Sequence, residues 1–67
     1  MADIEALNMG TTFLLTGTTE AGAAWLDGNI ADGATRYGLA YVVEYRYGMD
    51  ILQGASEAGL SLEYSKP

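Results

Sequence analysis

The chain has 67 residues and a net charge of −6, with nine acidic residues against three basic ones and neither cysteine nor histidine. A chain this short folds as one domain, because it buries only about 60% of the surface its unfolded form exposes. Without cysteine, neither a disulfide nor a thiolate metal site reinforces it.

An apolar share of 49% excludes the disordered class. The acidic balance argues against direct nucleic-acid binding, which needs Lys and Arg to neutralise phosphates, and against anionic membrane surfaces. Apolar runs such as Leu39 to Val43 fall far short of the ~20 residues of a membrane-spanning helix. The N-terminal Met1-Ala2-Asp3-Ile4-Glu5 carries acids where a secretory signal is basic, so the expected location is cytoplasmic.

In chain order, residues Asp3 to Leu7 read as either a short strand or one helical turn, and Leu7-Asn8-Met9-Gly10 as a turn. Thr11 to Thr16 is β-branched and apolar up to Gly17, a strand. Thr18-Thr19-Glu20 opens a helix, with a threonine hydroxyl to cap it and an acid at its positive end. That helix carries Gly22, Trp25 and Leu26 on one face and ends near Gly28-Asn29 in a left-handed cap. From Asp27 to Gly38 the pattern is mostly that of a loop.

Leu39 to Tyr45 is the clearest strand. Gly48 to Ala58 places Ile51, Leu52, Ala55 and Ala58 at helical spacing, with Asp50 in the first turn and Gly59 just past the end. Leu60 to Tyr64 alternates with period two, a final half-buried strand. The expected architecture is α+β, a small β-α-β-α-β domain whose three-stranded sheet carries two helices on one face.

Two helices leave the other sheet face uncovered. Period-two alternation sends Tyr37, Leu39, Tyr41, Val43 and Tyr45 to one side of the central strand and Ala40, Val42, Glu44 and Arg46 to the other. Gly22 and Gly54, on the buried helix stripes, imply close backbone approach and favour Ala40/Val42 beneath the helices, with Tyr37, Tyr41 and Tyr45 exposed. The converse, tyrosines in the core with only their hydroxyls wet, is the commoner arrangement. Both stand open on sequence alone.

The chemistry available is narrow. Without His or Cys, the commonest routes to general-base, nucleophilic and zinc catalysis are missing. Ser56, Ser61 and Ser65 lie in no nucleophile elbow. Asp27-Gly28-Asn29-Ile30-Ala31-Asp32-Gly33 has a faint likeness to a calcium loop, but the places that require Gly and Glu hold Asp32 and Gly38. Gly10, Gly17 and Gly22 form no phosphate-binding pattern. The expectation is no enzyme, no metal and no cofactor.

What remains is surface: Glu20 and Asp27 on the first helix, Asp32 in the loop, Glu44 on the central strand, Asp50 and Glu57 on the second helix, Glu63 on the last strand. Carboxylates on a rigid small body can imitate the charge spacing of a nucleic-acid backbone and occupy a Lys- and Arg-lined groove. In the plainer reading the same acids only keep the domain soluble.

The series Thr19-Glu20-Ala21-Gly22, Trp25-Leu26, Val43-Glu44-Tyr45-Arg46-Tyr47, Asp50-Ile51, Gly54 and Ala58-Gly59-Leu60 resembles short acidic proteins of bacteriophages and other mobile elements. Small size, acidity and the lack of Cys and His also resemble the anti-CRISPR class, whose members bind Cas complexes and block target recognition. That class shares no common sequence pattern, so no residue role comes with the resemblance. It implies a non-enzymatic inhibitor or modulator, acting in a host bacterial cytoplasm as a DNA mimic. Its partner would be a basic protein surface such as that of a Cas effector complex; the residues expected to meet it, read from the chain's own surface pattern, are Glu20, Asp27, Asp32, Glu44, Asp50, Glu57 and Glu63 with Tyr37, Tyr41 and Tyr45. The alternative is a structural or assembly protein that homo-oligomerises, as a dimer for instance, through the open sheet face or an unpaired edge.

Overall fold

The computed structural model describes residues 2–30, 35–38 and 40–65. Among them are five strands and two helices: β1 (Ile4–Asn8), β2 (Thr12–Gly17), α1 (Glu20–Asn29), β3 (Thr35–Tyr37), β4 (Ala40–Glu44), α2 (Tyr45–Glu57) and β5 (Leu62–Ser65). The strands form one sheet in the order β3-β4-β2-β1-β5. Only the β1/β5 pair is parallel. The α+β class holds, but the sheet has five strands rather than three.

Both additions come from segments with weak sequence signals. Ile4 to Asn8 is a strand because it pairs with β2 through a tight turn, in which Gly10 takes φ +99° and its amide donates to Asn8 Oδ1 at 2.9 Å. The second addition, β3, occupies what reads as loop and pairs with β4 through a turn containing Gly38 at φ +63°. Neither backbone value suits a residue with a Cβ.

Register fixes the faces. Ile4 is opposite Gly17, Ala6 opposite Leu15, Phe13 opposite Val43 and Leu15 opposite Tyr41. Alternation therefore puts Ile4, Ala6, Phe13, Leu15, Tyr41 and Val43 on one side. All are buried, together with Leu26 of α1 and Ile51, Leu52 and Ala55 of α2. Both helices cover this face, and the Tyr41/Val43 side of β4 is the helix-facing one. Of the two arrangements open on sequence, the one with Ala40/Val42 beneath the helices is excluded, and Tyr41 lies in the core.

The helices approach closely where side chains are missing. A Cβ on Gly22 would strike the Asp3 carbonyl, one on Gly17 would strike the Ala23 backbone, and one on Gly48 would sit 2.6 Å from Phe13 Cδ2. Gly22 thus has the close approach that its cost in a helix implies. The expectation fails at Gly54, where a Cβ would meet only the Trp25 ring at 3.5 Å, an ordinary van der Waals contact. Gly48 takes that role in α2 instead.

Thr19 caps α1, its hydroxyl accepting from the Gly22 amide at 3.0 Å. The helix ends without a left-handed residue: Ile30 is extended, its amide donates to the Leu26 carbonyl, and Asn29 Nδ2 donates to the Trp25 carbonyl. After α2, Gly59 at φ +89° donates to the Ser56 carbonyl and Leu60 to the Ala55 carbonyl, the paired bonds of a Schellman end. That helix begins at Tyr45 rather than Gly48. Tyr45 donates its amide to the Thr11 carbonyl and stacks on Phe13 with ring centroids 4.9 Å apart, so tertiary contact outweighs its strand propensity.

Asp3 sits where the ends of the sheet meet α1. Its carboxylate accepts from the Ser61 amide at 3.0 Å, the Ser61 hydroxyl at 3.3 Å and the Thr19 hydroxyl at 2.7 Å. Its amide donates to the Ser61 carbonyl and its carbonyl accepts from the Thr18 amide. The Ser61 amide, and next the Thr19 hydroxyl, hold the Asp3 carboxyl below the ordinary value of 3.8. A carboxyl whose folded pKa is depressed contributes stability that is fully present above its unfolded pKa and is lost as pH falls through the folded one.

Two measurements check this account. Gly54→Ala should raise the unfolding midpoint, since it removes up to about 1 kcal/mol of helix cost without a clash. Gly48→Ala should lower it by the ~1–3 kcal/mol typical of overpacking, as read by thermal circular dichroism. In acid titrations, wild-type stability should fall as pH drops below 3.8, whereas Asp3→Asn should start less stable at neutral pH and show a shallower fall. Equal slopes would count against the Asp3 assignment.

Candidate interaction surface

The residues that alternate with the core form the sheet's second face, and no described element covers it. One row across it runs Ser65, Leu7, Leu14, Val42, Thr35 by register, and the next runs Glu63, Glu5, Thr16, Ala40, Tyr37. Leu7, Leu14 and Val42 are half-buried, forming an apolar stripe over three adjacent strands. Met9 and Tyr37, 51% and 73% exposed, extend it. Two adjoining hollows share Leu14: one is lined by Met9, Leu14, Tyr37 and Val42, the other by Glu5, Leu7, Leu14, Thr16 and Ser65.

Charge on this face has one sign. Glu5 and Glu63 are register partners on β1 and β5, and Glu44 stands opposite Thr12 at the end of β4. The two described cations lie elsewhere. Arg36 faces the helix side, its guanidinium 5.2 Å from the centre of the Tyr41 ring, and Arg46 is in the first turn of α2. Among the described residues, the open face therefore combines an apolar centre with an acidic rim, a pattern that complements a basic protein surface; the Glu44 of that rim shares a hollow with Arg46.

The remaining acids lie apart from it. Glu20 opens α1, and Asp27, further along, accepts from the Tyr41 hydroxyl at 3.2 Å. Asp50 and Glu57 are exposed on α2, where Gln53 Nε2 donates to Glu57 at 3.4 Å. Asp32 lies outside the described residues, as do Gly33, Leu39 and Lys66. Of the seven acids singled out from sequence, Glu44 and Glu63 are the two placed on the sheet's open face.

The three tyrosines do not form one patch. Tyr37 belongs to β3 and is on the open face; Tyr41 is buried under the helices at 9% exposure; Tyr45 is the first residue of α2, against Phe13. Turn and helix start interrupt the period-two run that would have aligned them. Sequence reasoning missed Glu5, Leu7 and Leu14 as surface residues. Leu14 was recoverable, being the one apolar position that alternates out of the Phe13/Leu15 pair between Thr12 and Thr16.

A second exposed apolar region lies on the helix side, where α2 meets β5. Met49, Leu52, Gln53 and Ser56 of α2 and Leu62 and Tyr64 of β5 line a groove. Tyr64 packs edge-on against Phe13 and its hydroxyl reaches Met49 Sδ at 2.9 Å, yet it is 52% exposed. Partial burial, then the neighbouring Tyr45, raises the Tyr64 phenol above its usual value of 10.0.

Among the described residues no group of three His, Cys, Asp or Glu is placed to hold a metal ion, and no helix is long and apolar enough to cross a membrane. Comparison with protein-family models, with curated proteins and with solved structures finds no match to this chain.

The two faces of β2 should respond differently to substitution. Leu15→Ala, in the sealed core, should cost about 2–5 kcal/mol, comparable with the ~3–5 kcal/mol that holds a domain of this size. Leu14→Thr should cost less than about 1 kcal/mol, because a threonine hydroxyl there meets water and suits a strand. Urea denaturation of both variants reads the difference.

Proposed function

We propose that this chain is a non-enzymatic protein-binding module, an inhibitor or modulator that docks through its open sheet face on a basic, nucleic-acid-binding protein surface. The observation that carries this reading is the Leu7/Leu14/Val42 stripe bounded by Glu5, Glu63 and Glu44 on a face with no described cation. Apolar burial would supply affinity, while the carboxylates would supply steering and select a Lys- and Arg-rich partner. The sequence resemblance to small acidic mobile-element proteins makes a Cas effector complex in a host bacterial cytoplasm the first partner to test.

Relative to the sequence expectation, the interface narrows. Glu20, Asp27, Asp50 and Glu57 lie off the docking face, and Tyr37 alone of the three tyrosines belongs to it. The second reading, self-association through the same face, draws support from the apolar stripe. Face-to-face packing of two copies would bring their carboxylate rims together, which disfavours it at neutral pH.

Immobilised protein challenged with purified Cas effector and other nucleic-acid-binding complexes at rising salt tests the proposal. Retention should fall with ionic strength. It should be lost in Glu5→Lys/Glu63→Lys and kept in Glu20→Lys/Glu57→Lys. Retention indifferent to salt, or equal loss in both double variants, would overturn the docking face. A stable multimer in sedimentation at micromolar concentration would favour self-association.

A further inference from the structure

We infer that the outer edge of β5, together with the groove beside α2, captures an extended peptide segment in which apolar and basic residues alternate. The site lies beyond the apolar stripe of the open face, sharing only Glu5 and Glu63 of its rim, and goes beyond the reading above. It rests on three observations.

The first is the edge itself. β5 ends the sheet, and its inner neighbour is β1. The Ile4 amide donates to the Ser61 carbonyl, so strand alternation turns the backbone of Ser61, Glu63 and Ser65 toward β1 and that of Leu62 and Tyr64 outward. The amides and carbonyls of Leu62 and Tyr64 thus face the free edge as a template for one more strand.

The second is the wall over that edge. A strand added beside β5 would send alternate side chains to the helix side, into the groove of Met49, Leu52, Gln53, Ser56, Leu62 and Tyr64. Met49 and Tyr64 remain 41% and 52% exposed there, although both belong chemically to a core. Methionine adapts to varied apolar partners and tyrosine offers a flat apolar ring, so apolar side chains are the complement.

The third is charge. The intervening side chains of an added strand would emerge on the opposite face, next to Glu63 and its register partner Glu5. Two adjacent carboxylates on parallel strands repel each other, and a Lys or Arg on the third strand relieves that repulsion. A β5 edge from a second copy would instead bring a further Glu63 to this place. The occupant is therefore a cationic segment of another protein.

The test uses a fluorescein-labelled hexapeptide alternating lysine with leucine and valine, with the same residues rearranged into a basic block and an apolar block as one control. The alternating peptide methylated on every second backbone nitrogen is the other. Fluorescence anisotropy should show binding of the alternating peptide and at least about tenfold weaker binding of both controls. Glu63→Lys and the groove-filling Ser56→Trp, both at exposed positions, should each weaken it by a similar factor while thermal unfolding stays near wild type. Leu14→Thr, on the open face, should leave it unchanged. In heteronuclear spectra the Leu62 and Tyr64 amides should shift most.

Equal binding of the methylated peptide, shifts confined to Leu7, Leu14 and Val42, or no binding at millimolar peptide would each overturn the inference. Glu63→Lys is common to both surfaces, so the two are told apart by Leu14→Thr, which belongs to the open face alone, and by the peptide controls, which bear only on the β5 edge.

Discussion

The Asp3 carboxylate accepts hydrogen bonds from Thr19, 16 positions away in sequence, and from Ser61, 58 positions away. These contacts join the start of β1, the N-terminus of α1 and the approach to β5 at one point. The parallel β1/β5 pair must be closed across nearly the whole chain, an entropic cost that grows only logarithmically with length but must still be met by contacts at its ends. Asp3 offsets it with backbone bonds on one side and an ionised acceptor on the other, and bonds to an ionised group are stronger than those between neutral ones. Through Thr19 the same carboxylate orients the hydroxyl that caps α1. Once α1 is seated with Gly22 against the Asp3 carbonyl, Leu26 reaches the core, and the helix layer follows.

That layer explains the shape of the surface. Two helices are enough to seal Ile4, Ala6, Phe13, Leu15, Tyr41 and Val43, and no described element covers the reverse of the five-stranded sheet. On that reverse, the strands alternate leucine and valine with threonine and glutamate instead of presenting an all-polar skin. The charge count of the chain hid this. Carboxylates on α1 and α2 contribute to the net −6 as much as those on the sheet, yet only the sheet carboxylates frame an apolar patch.

Features governed by chemistry within a few residues were legible in the sequence. A threonine cap within Thr18-Thr19-Glu20, the Gly59 helix end, a strand over Thr11 to Thr16 and the helical spacing of Ile51, Leu52 and Ala55 all follow from local rules. Features governed by distant partners were not. Ile4 to Asn8 is a strand because β2 and β5 flank it, and Thr35 to Tyr37 because β4 does. Tyr45 leaves the strand because Phe13 and Thr11 hold it in a helix. The acidic residues were easy to find and hard to place, since their faces depend on registers that pattern alone did not fix.

The glycine contacts carry an evolutionary implication. Gly17 against the Ala23 backbone and Gly22 against the Asp3 carbonyl leave room for no side chain, whereas Gly48 against the Phe13 ring is a place where volume is shared between two positions. In a diverged descendant, helix carboxylates away from the open face could drift freely, but a side chain gained at 48 would demand a smaller ring at 13. Such paired size changes, more than any motif, are the trace by which remote kin of this fold would be told apart from chance likeness.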